Sequence, residues 1–265
     1  MASSKVILVT GGNSGIGYET VKALLQSDKA YHILLGARSS EKAKLAIETL
    51  HKECSNVTNT VESIQIDLTS DESIETAFKQ VKANPGRLDI LVNNAGAALD
   101  LEFMEGHISL RSRFNAAYDI NVAGTNVITW VFMPLLLQSA DPRLIFVGGL
   151  SSITSAAESG SLLPPSPAGW PKHFNFDPIG YRCSKVALNM LMIDWNHKLK
   201  ADGVKVWAVA PGFLATNLGG RPELAKQMGA GHPSEGGDII KRVVEGERDA
   251  DVGKFVAKNG GFVPW

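Results

Sequence analysis

Tyr181 and Lys185 are the side chains in this sequence whose types and spacing best suit acid–base chemistry. They stand four residues apart on a predicted helix, so both lie on the same helix face. A free tyrosine has a pKa of about 10 and is a poor acid near neutral pH. A neighbouring ammonium favours the phenolate, so we expect Lys185 to lower the Tyr181 pKa and make it a general acid. The alternative is a buried tyrosine and a surface lysine that merely share helical spacing.

A glycine-rich turn near the N-terminus supplies the second chemical feature. The apolar run 5–10 predicts a strand, and Gly11, Gly15 and Gly17 follow it where a helix is predicted to begin. Backbone N–H groups at a helix N-terminus bind phosphate, and glycines let the chain approach a pyrophosphate closely. The turn therefore predicts a dinucleotide site. A plain strand–helix turn rich in glycine is the alternative.

The end of the second predicted strand bears on the choice of cofactor. Folds that bind NAD usually place an acid there, where it bonds the ribose hydroxyls and would repel a 2′-phosphate. Residues 36–40 contain no acid, but they contain Arg38, whose guanidinium can bind a phosphate bidentately. The sequence therefore favours NADP(H) over NAD. A solvated surface arginine is the alternative.

Candidate binding residues also follow the third and fourth predicted strands, and open α/β sheets bind ligands at strand ends. Asp67 could accept a hydrogen bond from an adenine amine, and Leu68 could pack on the adenine face. The run at 93–96 ends in Gly96, which lets the backbone pass close to a cofactor ribose. A helix-capping aspartate and an ordinary turn are the alternatives.

Further polar residues complete the set of candidates. Ser151 and Ser152 follow the fifth predicted strand and could present a hydroxyl to a substrate carbonyl oxygen. Asn121 lies in the middle of a predicted helix, where the alternative is a solvent-facing or core-bonded amide. Cys183, between Tyr181 and Lys185, is interpreted as a small buried residue.

The elements that must position these residues alternate between strand-like and helix-like patterns. Such alternation predicts a doubly wound Rossmann-type α/β fold, a parallel sheet of about seven strands with helices on both faces. No repeat or linker divides residues 1–265, so we expect one domain. The predicted strands are 5–10, 32–37, 63–66, 90–92, 144–147, 204–209 and 254–257. The predicted helices are 16–26, 41–54, 70–82, 114–137, 181–201, 222–226 and 235–245.

One proline-rich segment, 156–178, interrupts this alternation. Proline at this density predicts an irregular loop, and we expect it beside the reaction centre because it precedes Tyr181. Its aromatic residues need an apolar partner, so we expect a lid over the substrate pocket that favours a bulky, apolar carbonyl compound. The alternative is that they only anchor the loop to the core. The aromatic residues are Trp170, Phe174 and Phe176.

Composition narrows the classes of function. The chain has 265 residues, 44% of them hydrophobic, and a formal net charge of −1, so nothing favours nucleic acid or an anionic membrane as a partner. The longest apolar stretch, 127–137, is too short to span a bilayer, and no signal-peptide pattern is present. Cys54 and Cys183 are far apart, which predicts free thiols and a cytoplasmic location. The spacing of the six histidines predicts no metal site.

Together and in this order, these residues and the motif Pro211-Gly212-x-x-x-Thr216 resemble the short-chain dehydrogenase/reductase family over nearly the whole chain. The resemblance implies a catalytic tetrad of Asn121, Ser152, Tyr181 and Lys185, with Ser152 rather than Ser151 as the catalytic serine. It also implies that Pro211, Gly212, Leu214 and Thr216 contact the nicotinamide end of the cofactor. The predicted cofactor-binding residues are Gly11, Asn13, Ser14, Ile16, Gly17, Arg38, Asp67, Leu68, Asn94, Ala95, Gly96, Asn121, Tyr181, Lys185, Pro211, Gly212, Leu214 and Thr216.

Within the family the sequence looks most like the NADPH-dependent carbonyl reductases, because Asn13 with Arg38 fits their 2′-phosphate site and the 156–178 insertion is similar. This implies hydride transfer between NADP(H) and a ketone, aldehyde or secondary alcohol. Lys185 would also hold the nicotinamide ribose, and Asn121 would keep a water beside Lys185. The alternatives are a cofactor-binding sensor without turnover and a family member recruited to a non-redox or cyclisation step.

The resemblance also carries an expectation about assembly. Many family members pair through their long helices, and the insertion could cover that surface, so a monomer or homodimer is expected rather than a tetramer. Two stretches depart from the common family pattern, at 147–150 and at 260–265. These departures affect the expected fit of substrate and subunits rather than the expected chemistry.

Overall fold

A computed structural model describes residues 4–149, 153–159, 167–172 and 177–265. Its centre is a seven-stranded sheet in which every pair of neighbouring strands is parallel. The strands are β1 (Lys5–Thr10), β2 (Tyr31–Ala37), β3 (Thr60–Gln65), β4 (Ile90–Asn93), β5 (Arg143–Val147), β6 (Lys205–Ala210) and β7 (Phe255–Ala257). Their order across the sheet is β3-β2-β1-β4-β5-β6-β7.

Helices cover both faces of this sheet, as the alternating pattern predicts. They are α1 (Gly15–Leu25), α2 (Ser40–Glu53), α3 (Asp71–Ala83), α4 (Asp100–Met104), α5 (Leu110–Tyr118), α6 (Thr125–Leu136), α7 (Ile153–Ser159), α8 (Ile179–Lys198), α9 (Pro222–Gln227) and α10 (Ser234–Val244). A π-helical turn, Asp119–Gly124, joins α5 to α6. Short 3₁₀ turns occupy Asn217–Gly219 and Asp249–Asp251.

The core consists of two apolar clusters, one on each face of the sheet. Successive side chains of a strand point to opposite faces, so Ile7 and Val9 of β1 belong to one cluster and Leu8 to the other. Helices α1, α2 and α10 supply the first cluster with residues such as Leu24. Helices α3, α6 and α8 supply the second with residues such as Phe132. The central strands are buried on both faces, as expected of a parallel sheet.

The strand order fixes where a ligand can bind. The chain runs from β1 outward to β3 and then returns to β4 on the other side of β1. At such a reversal, the loops that leave the carboxyl ends of the two strands diverge and open a crevice. The glycine turn follows β1 and the Asn-Asn-Ala-Gly run lies at the end of β4, so both border this crevice.

Several predicted boundaries need correction. Strand β3 begins at Thr60, because an edge strand with mostly exposed residues carries a weak apolar signal. The predicted helix 114–137 begins at Leu110 and contains the π-helical turn, and helix α4 was not predicted. Residues 156–159, predicted as loop, belong to α7, since the prolines of the insertion begin only at Pro164.

The outward face of the two long helices bears on the expected assembly. Trp130 of α6 is 70% exposed and Met190 of α8 is 62% exposed, so the insertion does not cover this part of the face. The oligomeric state stays a prediction. None of the helices in the described part of the chain has the length and apolar character needed to span a bilayer.

Candidate active site

Helix α8 brings the two acid–base candidates together at the carboxyl ends of the strands. Its buried stripe runs through Lys185, Leu188, Met192 and Trp195, a helical spacing that turns Lys185 toward the sheet. Lys185 is 3% exposed, and its Nζ donates to the carbonyl of Val147, the last residue of β5, at 2.9 Å. The same Nζ lies 5.8 Å from the centroid of the ring one turn earlier in the helix, that of Tyr181.

The hydroxyl of Tyr181 lies against the chain that leaves β5. A Cβ built on Gly149 would lie 2.7 Å from the Tyr181 hydroxyl oxygen, closer than real Cβ atoms come. Only glycine at 149 leaves room for this hydroxyl. The glycines after β5 depart from the family pattern, and Gly149 adjoins the Tyr181 hydroxyl.

The expected lowering of the Tyr181 pKa is wrong for this structure. Burial raises the pKa of Tyr181 above its ordinary value, and the nearby carboxylate of Asp100 raises it further. The Lys185 ammonium donates to the Val147 carbonyl, and the pKa of Tyr181 stays raised. Burial also lowers the pKa of Lys185 to about 8. Both side chains are thus held toward their uncharged forms.

Asn121 lies inside the π-helical turn, fully buried. Its Oδ1 accepts from the Ala97 N–H at 2.8 Å, and its Nδ2 donates to the Ala97 carbonyl at 2.8 Å and to Ser184 Oγ at 2.8 Å. Because a π-helical turn shifts side chains relative to an α-helix, sequence periodicity gave no hint of this arrangement. A Cβ on Gly96 would lie 3.0 Å from Asn121 Oδ1 and 3.3 Å from Lys185 Nζ, so the two side chains border one small space.

The glycine turn has the shape of an anion cradle. Gly11 and Gly15 adopt φ values of +64° and +56°, which side-chain-bearing residues rarely adopt. Ser14 precedes α1 without capping it through its side chain, so the first N–H groups of the helix are available to an anion. A Cβ on Gly17 would lie 2.5 Å from Asn94 Nδ2, so glycine is required there too. These features fit a dinucleotide pyrophosphate.

Thr10 and Asn94 hold this cradle in place. The Thr10 hydroxyl accepts from the backbone N–H groups of Asn94 and Ala95 at 3.0 and 2.9 Å. The Asn94 Nδ2 donates to the Thr10 carbonyl at 2.8 Å and to the Gly11 carbonyl at 3.3 Å. The side chain of Asn94, predicted to bind the cofactor, is thus engaged in joining the two loops. The role of Thr10 was missed, since a threonine that ends a strand carries no distinguishing signal.

The residues after β2 and β3 lie at the same edge of the sheet. Arg38 is exposed, and Ser39 caps α2 by accepting from the Lys42 N–H. Asp67 Oδ1 accepts from the N–H and hydroxyl of Thr69 at 3.0 and 2.8 Å, which fixes the loop. Leu68, 8% exposed, belongs to the core cluster shared with α6.

The loop after β6 closes the cradle from the other side. A Cβ on Gly15 would lie 3.4 Å from Thr216 Cγ2, so the glycine turn and this loop are in contact. Leu214 Cδ1 and the Ile16 side chain both lie about 3 Å from the position of a Cβ on Gly236, at the start of α10. Pro211 is buried and Gly212 is exposed with φ +91°. The structure therefore places these predicted residues together.

Two buried charged residues near Tyr181 were not predicted. Asp100 and Arg113 are 3% and 1% exposed, and Arg113 Nε donates to Asp100 Oδ1 at 2.6 Å. Asp100 Oδ2 accepts from the backbone N–H of Tyr181 at 3.1 Å. In sequence these residues look like ordinary polar positions on helix surfaces, and no spacing marks them as partners.

Some predictions fall on parts that the structure does not describe. Ser151 and Ser152, the candidates for binding the substrate oxygen, lie outside the described residues, as do Phe174 and Phe176 of the insertion. Trp170 is described and is 88% exposed. This side chain does not anchor the insertion to the core, so for Trp170 the anchoring alternative is wrong.

Metal ligation has no support in the part of the chain that the structure describes. No group of three or more His, Cys, Asp or Glu side chains there could hold a metal ion. Cys54 and Cys183 are free cysteines; Cys54 is buried, whereas Cys183, interpreted as a small buried residue, is only partly buried.

Comparison with known proteins agrees with this geometry. The sequence model described as short chain dehydrogenase matches residues 5–160. A short-chain dehydrogenase/reductase of Talaromyces stipitatus, tropE, is 44% identical over 273 residues, covering 100% of this chain and 99% of that protein. Another from a Phoma species, eupG, is 44% identical over 254 residues, covering 92% of this chain and 91% of that protein.

Solved structures share the fold at lower identity. An NADPH-bound carbonyl reductase from chicken fatty liver has a TM-score of 0.77 and 22% identity, covering 99% of this chain and 100% of that one. The RhlG/NADP complex of Pseudomonas aeruginosa has a TM-score of 0.76 and 23% identity, with coverages of 98% and 97%. The chain belongs to the short-chain dehydrogenase/reductase family of oxidoreductases.

Proposed function

We propose that the chain is an NADPH-dependent carbonyl reductase, acting on a ketone or aldehyde in one direction and on a secondary alcohol in the other. The observation that carries this proposal is the pairing of partly buried Tyr181 with buried Lys185. It lies at the carboxyl end of β5, beside Asn121 and Gly96 at the crevice that the glycine turn borders. NADPH, when bound, supplies the hydride.

Tyr181 is the proton donor in this proposal. Its raised pKa keeps the hydroxyl protonated throughout the neutral range, which suits the protonation of a developing alkoxide. In the oxidative direction the phenolate is needed, and an ammonium brought nearer to Tyr181 would favour it. We expect Lys185 to leave the Val147 carbonyl for the nicotinamide ribose and Tyr181 when the cofactor binds, and Ser152 to orient the substrate oxygen.

The hydrogen bonding of Lys185 supports the proposed move from the Val147 carbonyl to the nicotinamide ribose and Tyr181. Its one hydrogen bond among the described residues is to a backbone carbonyl, so no carboxylate holds it in place. Asn121 borders the same small space through Gly96. We expect Asn121 to keep a water there that links Lys185 to solvent.

Arg38 is the basis for proposing NADPH rather than NADH. It is exposed at the end of β2, where NAD-binding folds carry an acid. A charge-assisted hydrogen bond contributes about 1.5–3 kcal/mol, so loss of Arg38 should weaken binding by about 10- to 150-fold. Arg38→Asp should weaken NADPH binding on that scale and spare or improve NADH binding.

Fluorescence titration of the reduced cofactors measures this preference. Arg242→Asp, the same charge change at an exposed ion pair on α10, is the matched control and should leave both affinities unchanged. Equal NADPH affinity in Arg38→Asp and wild type would make Arg38 a bystander.

A screen of carbonyl compounds, followed by the loss of NADPH absorbance, tests the activity itself. The panel should run from small aldehydes to bulky apolar ketones such as acetophenone. Tyr118→Phe removes an exposed phenol from α5 and should keep the activity of wild type, whereas Tyr181→Phe should abolish it. Product formation without NADPH consumption would instead identify a non-redox or cyclisation step.

A further inference from the structure

The helix that carries the proposed proton donor begins without a cap of its own. Pro178 precedes α8 and makes no side-chain hydrogen bond to it. The first N–H groups of a helix have no partner within the helix and must find one elsewhere. Asp100, the first residue of α4, supplies it: its Oδ1 accepts from the Gly180 N–H at 3.0 Å, and its Oδ2 accepts from the Tyr181 N–H at 3.1 Å.

A second buried charge holds Asp100 in this position. Arg113 of α5 donates from Nε to Asp100 Oδ1 at 2.6 Å, and its Nη2 donates to the Asp177 carbonyl at 2.5 Å and to Asp177 Oδ2 at 3.0 Å. The guanidinium also lies 4.9 Å from the ring centroid of Phe103. Arg113 thus joins α4, α5 and the chain entering α8, in a place where its 1% exposure leaves almost no access to water.

The packing around this pair tolerates little change. A Cβ built on Gly180 would lie 3.0 Å from Arg113 Cγ and 3.0 Å from Asp100 Oδ1. Both distances are shorter than most real Cβ contacts, so glycine next to Tyr181 lets the start of α8 approach the charged pair closely.

We propose that Asp100 and Arg113 are positioning residues for the proposed reaction: they fix where α8 begins and so set the place of the Tyr181 hydroxyl at the reaction centre. This inference rests on the proposed function and adds residues to it. Asp100 touches the backbone of Tyr181 and not the reacting atoms, so it acts through Tyr181.

Because Asp100 is charged, its loss should change the pH profile of the reaction, which the loss of a purely structural contact would not do. The charged groups around Tyr181 are Asp100 from α4, Arg113 from α5, Asp177 before α8 and Lys185 from α8 itself. Burial is the largest cause of the raised Tyr181 pKa, and the Asp100 carboxylate is the second. Removing that charge while keeping the shape should let the phenolate form at lower pH.

Asp100→Asn is the variant that tests the proposal, with Asp194→Asn as its matched control. The control makes the same isosteric change at an exposed ion pair on α8. Oxidation of 1-phenylethanol by NADP+ is followed as a function of pH, together with NADPH affinity and thermal unfolding. We expect the kcat of Asp100→Asn to fall about 10-fold or more with NADPH affinity unchanged, and its pH profile to move to lower pH. Asp194→Asn should match wild type in every measurement.

Gly180→Ala provides a second variant that keeps the charges and adds only a methyl group between them. It should lower kcat while leaving KM, NADPH affinity and the pH profile near those of wild type. Unchanged kcat in both variants, or a fall in kcat of Asp100→Asn that merely follows lost NADPH affinity, would overturn the proposal. Tyr181→Phe is measured alongside: full activity there would overturn the proposed function, and with it this inference.

Discussion

The two ends of the parallel strands, which we call the amino edge and the carboxyl edge of the sheet, differ in whether their buried cationic side chains are paired with carboxylates. At the amino ends of the strands, Arg143 is 3% exposed and forms ion pairs with Asp141 and Asp249. Lys205 binds the same two carboxylates, and Lys5 binds Asp141. At the carboxyl ends, Lys185 is equally buried at 3% exposed, yet no carboxylate in the described part of the chain pairs with it.

The pKa values of the two edges differ accordingly. Burial acts to raise the pKa of Asp141, but hydrogen bonds from Lys5 and Lys205 and the Arg143 charge hold it well below its ordinary value. Burial lowers the pKa of Lys185 to about 8, and among the described residues no carboxylate pairs with it to oppose this shift. The charged form is thus stabilised at Asp141, at the amino ends of the strands, and destabilised at Lys185, at the carboxyl ends. A buried titratable pair shifted away from its charged forms is typical of a reaction site, whereas matched charges are typical of structure.

The largest effect is expected from a substitution at the amino edge. It should lower the free energy of unfolding without changing the kcat of the folded protein. Arg143→Met leaves Asp141 and Asp249 without their buried partner, which typically costs about 3–5 kcal/mol in the free energy of unfolding. Because Lys5 and Lys205 remain, we expect the lower end of that range. Urea unfolding measures the loss, and kcat per folded molecule should stay at the wild-type value. A large fall in kcat without lost stability would contradict the division between the edges.

A substitution at the carboxyl edge should lower kcat and leave the free energy of unfolding nearly unchanged. Tyr181→Phe removes one hydroxyl and keeps the ring, so the free energy of unfolding and NADPH affinity should change little. The kcat should fall by at least about 100-fold, the usual scale for loss of a general acid. Steady-state kinetics with NADPH and an accepted ketone measure this. Turnover near that of wild type would exclude Tyr181 as the proton donor.

The two edges should also respond to opposite ends of the pH scale. Asp141 has a lower pKa folded than unfolded, so it contributes stability above about pH 4 that is lost as the pH falls further. Lys185 has a folded pKa of about 8 and an unfolded value of about 10.4, so its burial penalty is relieved as the pH rises from about 8 to 10. Urea midpoints across both ranges test this.

Matched variants assign each pH response to its edge. Lys185→Met should remove the alkaline gain in stability, and Arg143→Met should reduce the acid loss. An alkaline gain that survives in Lys185→Met would mean that another group causes it.

The smallest effect is expected from changing the insertion that precedes α8. Replacing 160–172 with a short Gly/Ser link removes Trp170, whose 88% exposure leaves it free to meet an apolar substrate. A lid predicts a fall in kcat/KM for bulky ketones, on the scale of about 10-fold for a lost apolar contact, with small-aldehyde activity kept. Equal losses for both substrates, or an insoluble protein, would favour a structural role.

Sequence patterns predicted the parts of the fold that depend on residues close together in the sequence. The apolar run of β1, the glycine turn and the Tyr181–Lys185 spacing each arise within a few residues, and the strand and helices that carry them form where predicted. The edge strand β3 and the short helix α4 were placed poorly because their burial depends on neighbours distant in sequence.

The electrostatics of the site could not be predicted in the same way. The direction of the Tyr181 pKa shift depends on burial and on Asp100, which lies 81 positions earlier in the chain. A single sequence shows that a tyrosine and a lysine share a helix face. It does not show which carbonyl the lysine binds, nor which carboxylate reaches the start of that helix.

We propose that the residues at the carboxyl edge catalyse hydride transfer between NADP(H) and a carbonyl carbon. Mass spectrometry of the product formed from acetophenone, or from the best substrate of the screen, with NADPH deuterated at the transferred position tests it most directly. We expect one deuterium at the carbinol carbon for the wild-type protein and at least about 100-fold slower labelling for Tyr181→Phe. Product without deuterium, or labelling at the wild-type rate in Tyr181→Phe, would contradict it.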